Sequence, residues 1–291
     1  MINAKKPTLC LPDDFSWEQT VALLLDAVQV KTLLPRLFQW DPEVTVEVIY
    51  LRTRFAQFRA LSPCLVRLKE PSDPILEQFL AHVGEHWGYL LACDAPWEQV
   101  AAHWRWLASV EHPSGEEMLL RIADPAVAHA VFSDTVSSTS TLFGPCLRVM
   151  VVNAVSDGWR HYTRAGERPA PNHAALYRLN ERQVELLNEA SFDKNVTELY
   201  GHMGEFFPDY RMDLQPQQRW QHLRGLAKRA VELGFESEAD IWLYANAHGF
   251  LSEQRLVADP EIASLLNPAS PLPPSTRIAM ITTLVERRSH P

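Results

Sequence analysis

The sequence predicts a two-lobed chain: an α/β (or α+β) N-terminal lobe with a mixed sheet flanked by helices, and an all-α C-terminal lobe. Three observations predict it. Up to about Tyr162, short apolar runs alternate with amphipathic stretches, the pattern of strands separated by helices. Residues 165–172 (AGERPAPN) form a Pro- and Gly-rich segment. Beyond it the apolar period is helical almost everywhere. The expected division is a domain over 1–164, a linker over 165–172 and a helical lobe over 173–291.

In the N-terminal lobe, the run at 20–27 (TVALLLDA) reads as a buried strand. Residues 32–40 read as a helix that Asp41-Pro42 breaks. The β-branched and aromatic stretch 44–51 (VTVEVIYL) reads as a strand, and 64–68 (CLVRL), after Ser62-Pro63, as another. Apolar residues at 75, 76, 79, 80 and 83 predict a helix over 74–86 with Pro74 in its first turn. The apolar run 87–93 (WGYLLAC) is a strand. Residues 96–107 form a helix with Trp97, Val100, Ala101, Trp104 and Leu107 on one face. Residues 118–123 (MLLRIA) read as a strand. Asp124-Pro125 opens a helix to about Phe132, and 144–154 gives a last strand.

In the C-terminal lobe, Asn180 to Gln183 resembles a capping box opening a helix. A stripe through Trp220, Leu223, Ala227, Ala230 and Val231 is stopped by Gly234. Ser237 to Asp240 caps the next helix, Asp259-Pro260 starts a short one, and 276–288 is the last.

The hydrophobic fraction of 46% is that of a globular protein. The net charge of −9 argues against nucleic acid and anionic membrane as partners, because a phosphate-binding surface wants a basic excess. The first fifteen residues lack the apolar core of a secretory signal, and no stretch approaches the ~18 apolar residues of a membrane span. The chain is therefore expected in the cytoplasm. Cys10, Cys64, Cys93 and Cys146 have no metal-clip spacing and sit in or beside apolar runs. They read as buried free thiols in a reducing compartment.

Three patterns bear on chemistry. His82-Val83-Gly84-Glu85-His86 spells H-x-x-E-H, in which two histidines on one helical face hold zinc and the glutamate acts as base. Gly84 weakens that helix and no third ligand stands out, so the expectation is no zinc there, and a protein that binds a partner rather than an enzyme. There is no serine elbow, no phosphate loop and no dinucleotide fingerprint. On the 97–107 helix, Trp106 falls off the core stripe beside Arg105 and reads as an outward-facing anchor for a partner. Arg121 and Asp124 are expected to form a buried pair that holds a strand-to-helix turn.

Five blocks of sequence occur in a fixed order over roughly residues 20–160. They are 62–68 with Ser62 and Pro63, then Trp87-Gly88, then 103–107 (HWRWL), then Arg121-Ile122-Ala123-Asp124-Pro125, then Phe143-Gly144-Pro145. Together they resemble the type VI secretion effector adaptors, also called effector chaperones. The domain that defines this bacterial family was long catalogued as one of unknown function, and its genes sit beside those for VgrG-type spike proteins and toxic effectors. The resemblance implies a cytosolic protein that binds a cognate effector and helps load it onto the spike, without a cofactor. Its partners would be a type VI effector and a VgrG-type spike protein. A zinc hydrolase using His82, Glu85 and His86, and an immunity or regulatory protein that binds a toxin, are the competing readings. A hydrophobic groove is expected to hold the effector, with Arg105 and Trp106 on one wall and Trp242 of the C-terminal lobe on the other.

Overall fold

Continuous apolar runs without polar alternation belong to strands covered on both faces, and two of them, at 20–25 and 88–93, pair at the centre of the fold. A computed structural model describes residues 10–11, 15–134, 140–153 and 158–289. The chain divides into two units, Met1–Asn188 and Glu189–Pro291.

In the first unit, β1 (Thr20–Leu25), β2 (Thr45–Val48), β3 (Cys64–Arg67), β4 (Gly88–Cys93), β7 (Cys146–Asn153) and β8 (Gly158–Thr163) form one sheet in the order β2-β3-β1-β4-β7-β8. Every pairing in it is antiparallel. Period-2 geometry splits each central strand between two cores. Ala22, Leu24, Tyr89, Leu91 and Val149 face one, with α3 (Trp97–Leu107) and α4 (Pro125–Phe132). Val21, Leu23, Leu25, Leu90 and Met150 face the other, with α1 (Leu33–Trp40) and α2 (Pro74–Ala81). A second sheet, β6-β5-β9, joins β5 (Ser109–Glu111) to β6 (Glu117–Leu119) antiparallel and to β9 (Tyr177–Arg178) parallel. A short helix α5 (Ser140–Phe143) precedes β7.

Several elements stop earlier than the periodicity suggests, each for a local reason. The expected 44–51 strand ends at Val48 and becomes a 3-10 turn over Ile49–Arg52. There the Ile49 N–H donates to the Pro63 carbonyl and the Tyr50 N–H to Ser62 Oγ (2.8 Å), so the strand ladder is left. The expected 118–123 strand covers only Glu117–Leu119, because the Ile122 and Asp124 N–H groups turn back onto Leu120 and Arg121. The 74–86 helix ends at Ala81. His82 is its C-cap, and His86 takes a left-handed conformation (φ 55°).

The Pro-rich segment 165–172 does not separate the units, which divide at 188/189. Residues on both sides of it are tied to the first unit. Arg164 is buried and binds Asp94 (2.6 Å) and the Gly144 carbonyl (2.8 Å), while β9 completes the small sheet and Val184 and Leu187 pack on its core.

The helical unit runs from within α6 (Glu181–Phe206) through α7 (Pro216–Glu232), α8 (Glu238–Phe250), α9 (Glu253–Ala258), α10 (Pro260–Leu266) and α11 (Pro274–Ser289). Asn180 and Gln183 make the reciprocal capping box the sequence proposes, and the Ser237 hydroxyl accepts from the Asp240 N–H. Leu199, Met203, Leu226, Ala230, Ile262, Ile278 and Ile281 fill the core. Buried Arg277 donates to the carbonyls of Leu233, Leu265 and Asn267. A single guanidinium thereby satisfies carbonyls left open at the ends of α7 and α10. Short α9 carries too few residues to show a period and was not anticipated.

Cys64, Cys93 and Cys146 are buried, with burial pushing the Cys64 thiol up to about 12; Cys10, expected buried, is exposed. No helix among the described residues is long and apolar enough to cross a membrane.

Two buried histidines give the fold a defined acid sensitivity. Burial lowers His103 to about 4, against the weaker opposing effect of its bond to the Leu142 carbonyl (2.9 Å). Burial likewise lowers His248 to about 4. Unfolded histidine titrates near pH ~6.5, so the unfolded chain binds these protons more tightly. The stability they confer is complete above pH ~6.5 and is lost as pH falls toward ~4. Each group is expected to contribute about 3 kcal/mol across that window. Denaturant melts at about pH 7 and about pH 4.5 check this, with His103→Gln flattening the pH dependence of the first unit.

Candidate partner-binding groove

Three of the five sequence blocks converge at one end of the six-stranded sheet. Asp26 follows β1 directly; its N–H donates to the Trp87 carbonyl (2.7 Å), and its carboxylate accepts from the Val28 N–H (2.8 Å) and from Arg121 Nη2 (2.7 Å). The same Arg121 nitrogen lies 3.6 Å from Asp124, whose other oxygen caps α4 through the Ala126 N–H (3.0 Å) with Pro125 in the first turn. The expected Arg121–Asp124 pair is therefore one arm of a triad. The closer arm, to Asp26, links residues 95 positions apart.

The Asp26 side chain is 4% exposed and Arg121 34%. Burial raises the Asp26 carboxyl above its ordinary range, opposed by the Val28 N–H and the Arg121 charge. Arg121→Ala removes the counter-charge from a buried acid and is expected to destabilise by about 2–4 kcal/mol. The figure stays below that of a fully buried pair because Arg121 is partly solvated and Asp26 can take up a proton. Paired melts of Arg121→Ala and Asp26→Asn/Arg121→Ala check it: the double variant should recover part of the loss.

Above this triad opens an apolar groove of about 270 Å³. Asp26, Tyr50, Arg121 and Ala123 contribute polar and apolar lining, and Val28, Phe58, Leu61, Pro63 and Leu119 give it apolar walls. Phe58 is 47% exposed and Leu61 51%, and the two stand together on one wall of the groove. The loop that carries them is two 3-10 turns, Ile49–Arg52 and Ala56–Leu61, anchored by buried Tyr50 below and by the Ser62 hydroxyl on the Tyr50 N–H. Ser62 and Pro63 thus brace the loop that forms one wall.

The remaining motif residues have structural settings. Gly88 lies against the β1 backbone, where an added Cβ would stand 1.9 Å from the Leu24 carbonyl oxygen. Trp87 is buried with its ring stacked 4.2 Å from that of His82 and 5.9 Å from that of Trp40. Gly144 takes φ 51° facing the His103 ring, and the Pro145 carbonyl accepts from the Asp94 N–H (3.0 Å).

Arg105, Trp106 and Trp242, the residues expected at the partner interface, are not among those that line this groove. Arg105 is 15% exposed and paired with Glu47. Trp106 is half-buried: its indole N–H donates to the Ala175 carbonyl (2.7 Å), His173 stacks on it at 5.0 Å and Tyr177 meets it edge-on. The outward face expected for Trp106 is covered by residues of its own unit. Trp242 is half-buried on the helical core, 4.7 Å from the His202 ring, and its buried indole N–H has no hydrogen-bond partner among the described residues.

The H-x-x-E-H pattern does not form the helical face it would need. With α2 ended at Ala81, His82 Nδ1 meets the Gln78 carbonyl (2.8 Å), and the chain reverses at His86. Among the described residues no three His, Cys, Asp or Glu side chains gather as metal ligands would.

Sequence reasoning missed the groove walls. Their one signal is the stretch 51–61 (LRTRFAQFRAL), where large apolar residues recur with neither a helical nor a strand period.

Residues 23–140, which hold the triad and the groove walls, match a family described as a domain of unknown function, DUF4123. This matched stretch holds the blocks at 62–68, 87–88, 103–107 and 121–125, four of the five that resemble the type VI secretion effector adaptors. The chain is 27% identical over 274 residues to accessory protein VasW of Vibrio cholerae, covering 94% of this chain and 90% of that protein. No solved structure matches it.

Proposed function

We propose that the protein is a cytosolic adaptor that holds a cognate type VI effector in the groove above Asp26, Arg121 and Asp124 and assists its loading onto a VgrG-type spike. The observation that carries this reading is the coincidence of the exposed apolar groove with the family's sequence blocks. Apolar side chains gathered at an exposed groove, rather than scattered singly, mark a surface that a partner can cover. The triad beneath supplies a stiff floor, so the loop bearing Phe58 and Leu61 is held open before binding and loses little freedom on it. Nothing in this role requires a bond to be made or broken by the chain.

The test is a pull-down of the tagged full chain from its native bacterium, with mass spectrometry of what co-purifies. An effector encoded near a spike gene, whose export falls when the adaptor gene is deleted, supports the reading. A captured toxin that the chain neutralises, with export unchanged on deletion, would make it an immunity protein instead.

A further inference from the structure

Given that reading, the surface around the groove defines what kind of segment it takes. The chain carries −9 overall, yet residues 49–61 hold Arg52, Arg54 and Arg59 and no acidic residue. Arg54 is paired with Glu117 (2.8 Å). Arg52 and Arg59 are exposed, with no ion pair among the described residues. In the groove itself, Arg121 makes both its contacts through Nη2, to Asp26 and Asp124, and is one-third exposed. Exposed Leu51, Phe58 and Leu61 lie on the same loop as the two unpaired arginines. A loop that carries both apolar anchors and unpaired cations complements a ligand with apolar side chains and carboxylates.

We infer that the groove binds an acidic, apolar segment of the effector, seating large apolar side chains between Phe58, Leu61 and Leu119 and setting carboxylates against Arg52 and Arg59. A second copy of this chain is the poorer occupant. In a two-fold pairing the same patch meets itself, which sets the unpaired arginines of one copy against those of the other.

The experiment places a photo-crosslinking p-benzoylphenylalanine at position 61 of the full chain in the native bacterium, with position 257, exposed in the helical unit, as control. Crosslinked peptides are mapped, and effector affinity is measured for Arg52→Glu/Arg59→Glu and Arg52→Lys/Arg59→Lys. Both arginines are exposed, so thermal melts of the variants should match the wild type. The expected result is a crosslink from position 61 to an effector segment of net negative charge that also carries large apolar residues. The Glu variant should lose at least about tenfold in affinity together with most of the salt dependence, and the Lys variant should keep both.

A basic or uncharged mapped segment overturns the inference. So does a crosslink to a second copy, no crosslink from position 61, or arginine-dependent binding of the chain to phosphatidylglycerol vesicles in place of the effector. Wild-type effector capture by the Glu variant sinks the groove chemistry and leaves the adaptor role standing. An acidic, apolar segment mapped on a protein that type VI secretion does not export does the reverse.

Discussion

Gly88→Ala should unfold the first unit or come close to it. Gly88 opens β4 at φ 154° and pairs with Leu25 of β1 in the middle of the six-stranded sheet. A methyl group there would lie 1.9 Å from the Leu24 oxygen, 2.9 Å from its carbonyl carbon and 3.0 Å from Leu25 Cα. All three are backbone atoms of the neighbouring strand, so no side chain can swing aside, and relief requires separating β1 from β4. Backbone strain and overpacking together are expected to cost about 4 kcal/mol or more, a large part of a domain's ~5–15 kcal/mol. Gly84, four residues earlier, has nothing within 4 Å of an added Cβ. Gly84→Ala is expected to stay within about 0.5 kcal/mol of wild type. Chemical denaturation of the two variants side by side checks the contrast, and equal stability would show that the β1–β4 contact is looser than described.

Phe58→Asp and Leu61→Asp should each weaken effector binding by thirtyfold or more, corresponding to about 2 kcal/mol for a central anchor. Both side chains are about half exposed, so melting temperatures should hold. Trp106→Ala makes the useful contrast. Its ring supports His173 and Tyr177 and its N–H holds the Ala175 carbonyl, so its loss should lower stability first. Calorimetric titration with purified effector, run beside thermal melts, separates the two kinds of residue. Wild-type affinity in both groove variants would move the binding site elsewhere.

How far the fold could be read in advance depended on whether each feature is local. The runs that became β1 and β4 carry their own signal, since a strand buried on both faces must be apolar at successive positions. Caps at Asn180, Ser237 and Asp259 are equally local, because a side chain closes them within three residues. Edge strand β8 (GWRHYT) is mixed in polarity and was missed. Strands β5 and β9 have three and two residues and no period to detect. The division at 188/189 was hidden because a Pro-rich segment reports local chain stiffness, whereas β9 and Gln183 return to the first unit by tertiary contact.

The same distinction explains the site. The blocks at 62–63, 87–88 and 121–125 were visible as residues, but their convergence depends on the Asp26–Arg121 contact, which no spacing reveals. Helical periodicity places Trp106 off the core stripe, but it is blind to the chain from 173 to 177 that covers the ring.

The most direct test of the account is effector export from a strain lacking the chromosomal gene, complemented with the wild type or with Phe58→Asp/Leu61→Asp at matched adaptor levels. The groove account predicts that the wild type restores the effector to the culture medium while the double variant, folded and present, leaves it in the cell. Full export with the double variant would contradict it.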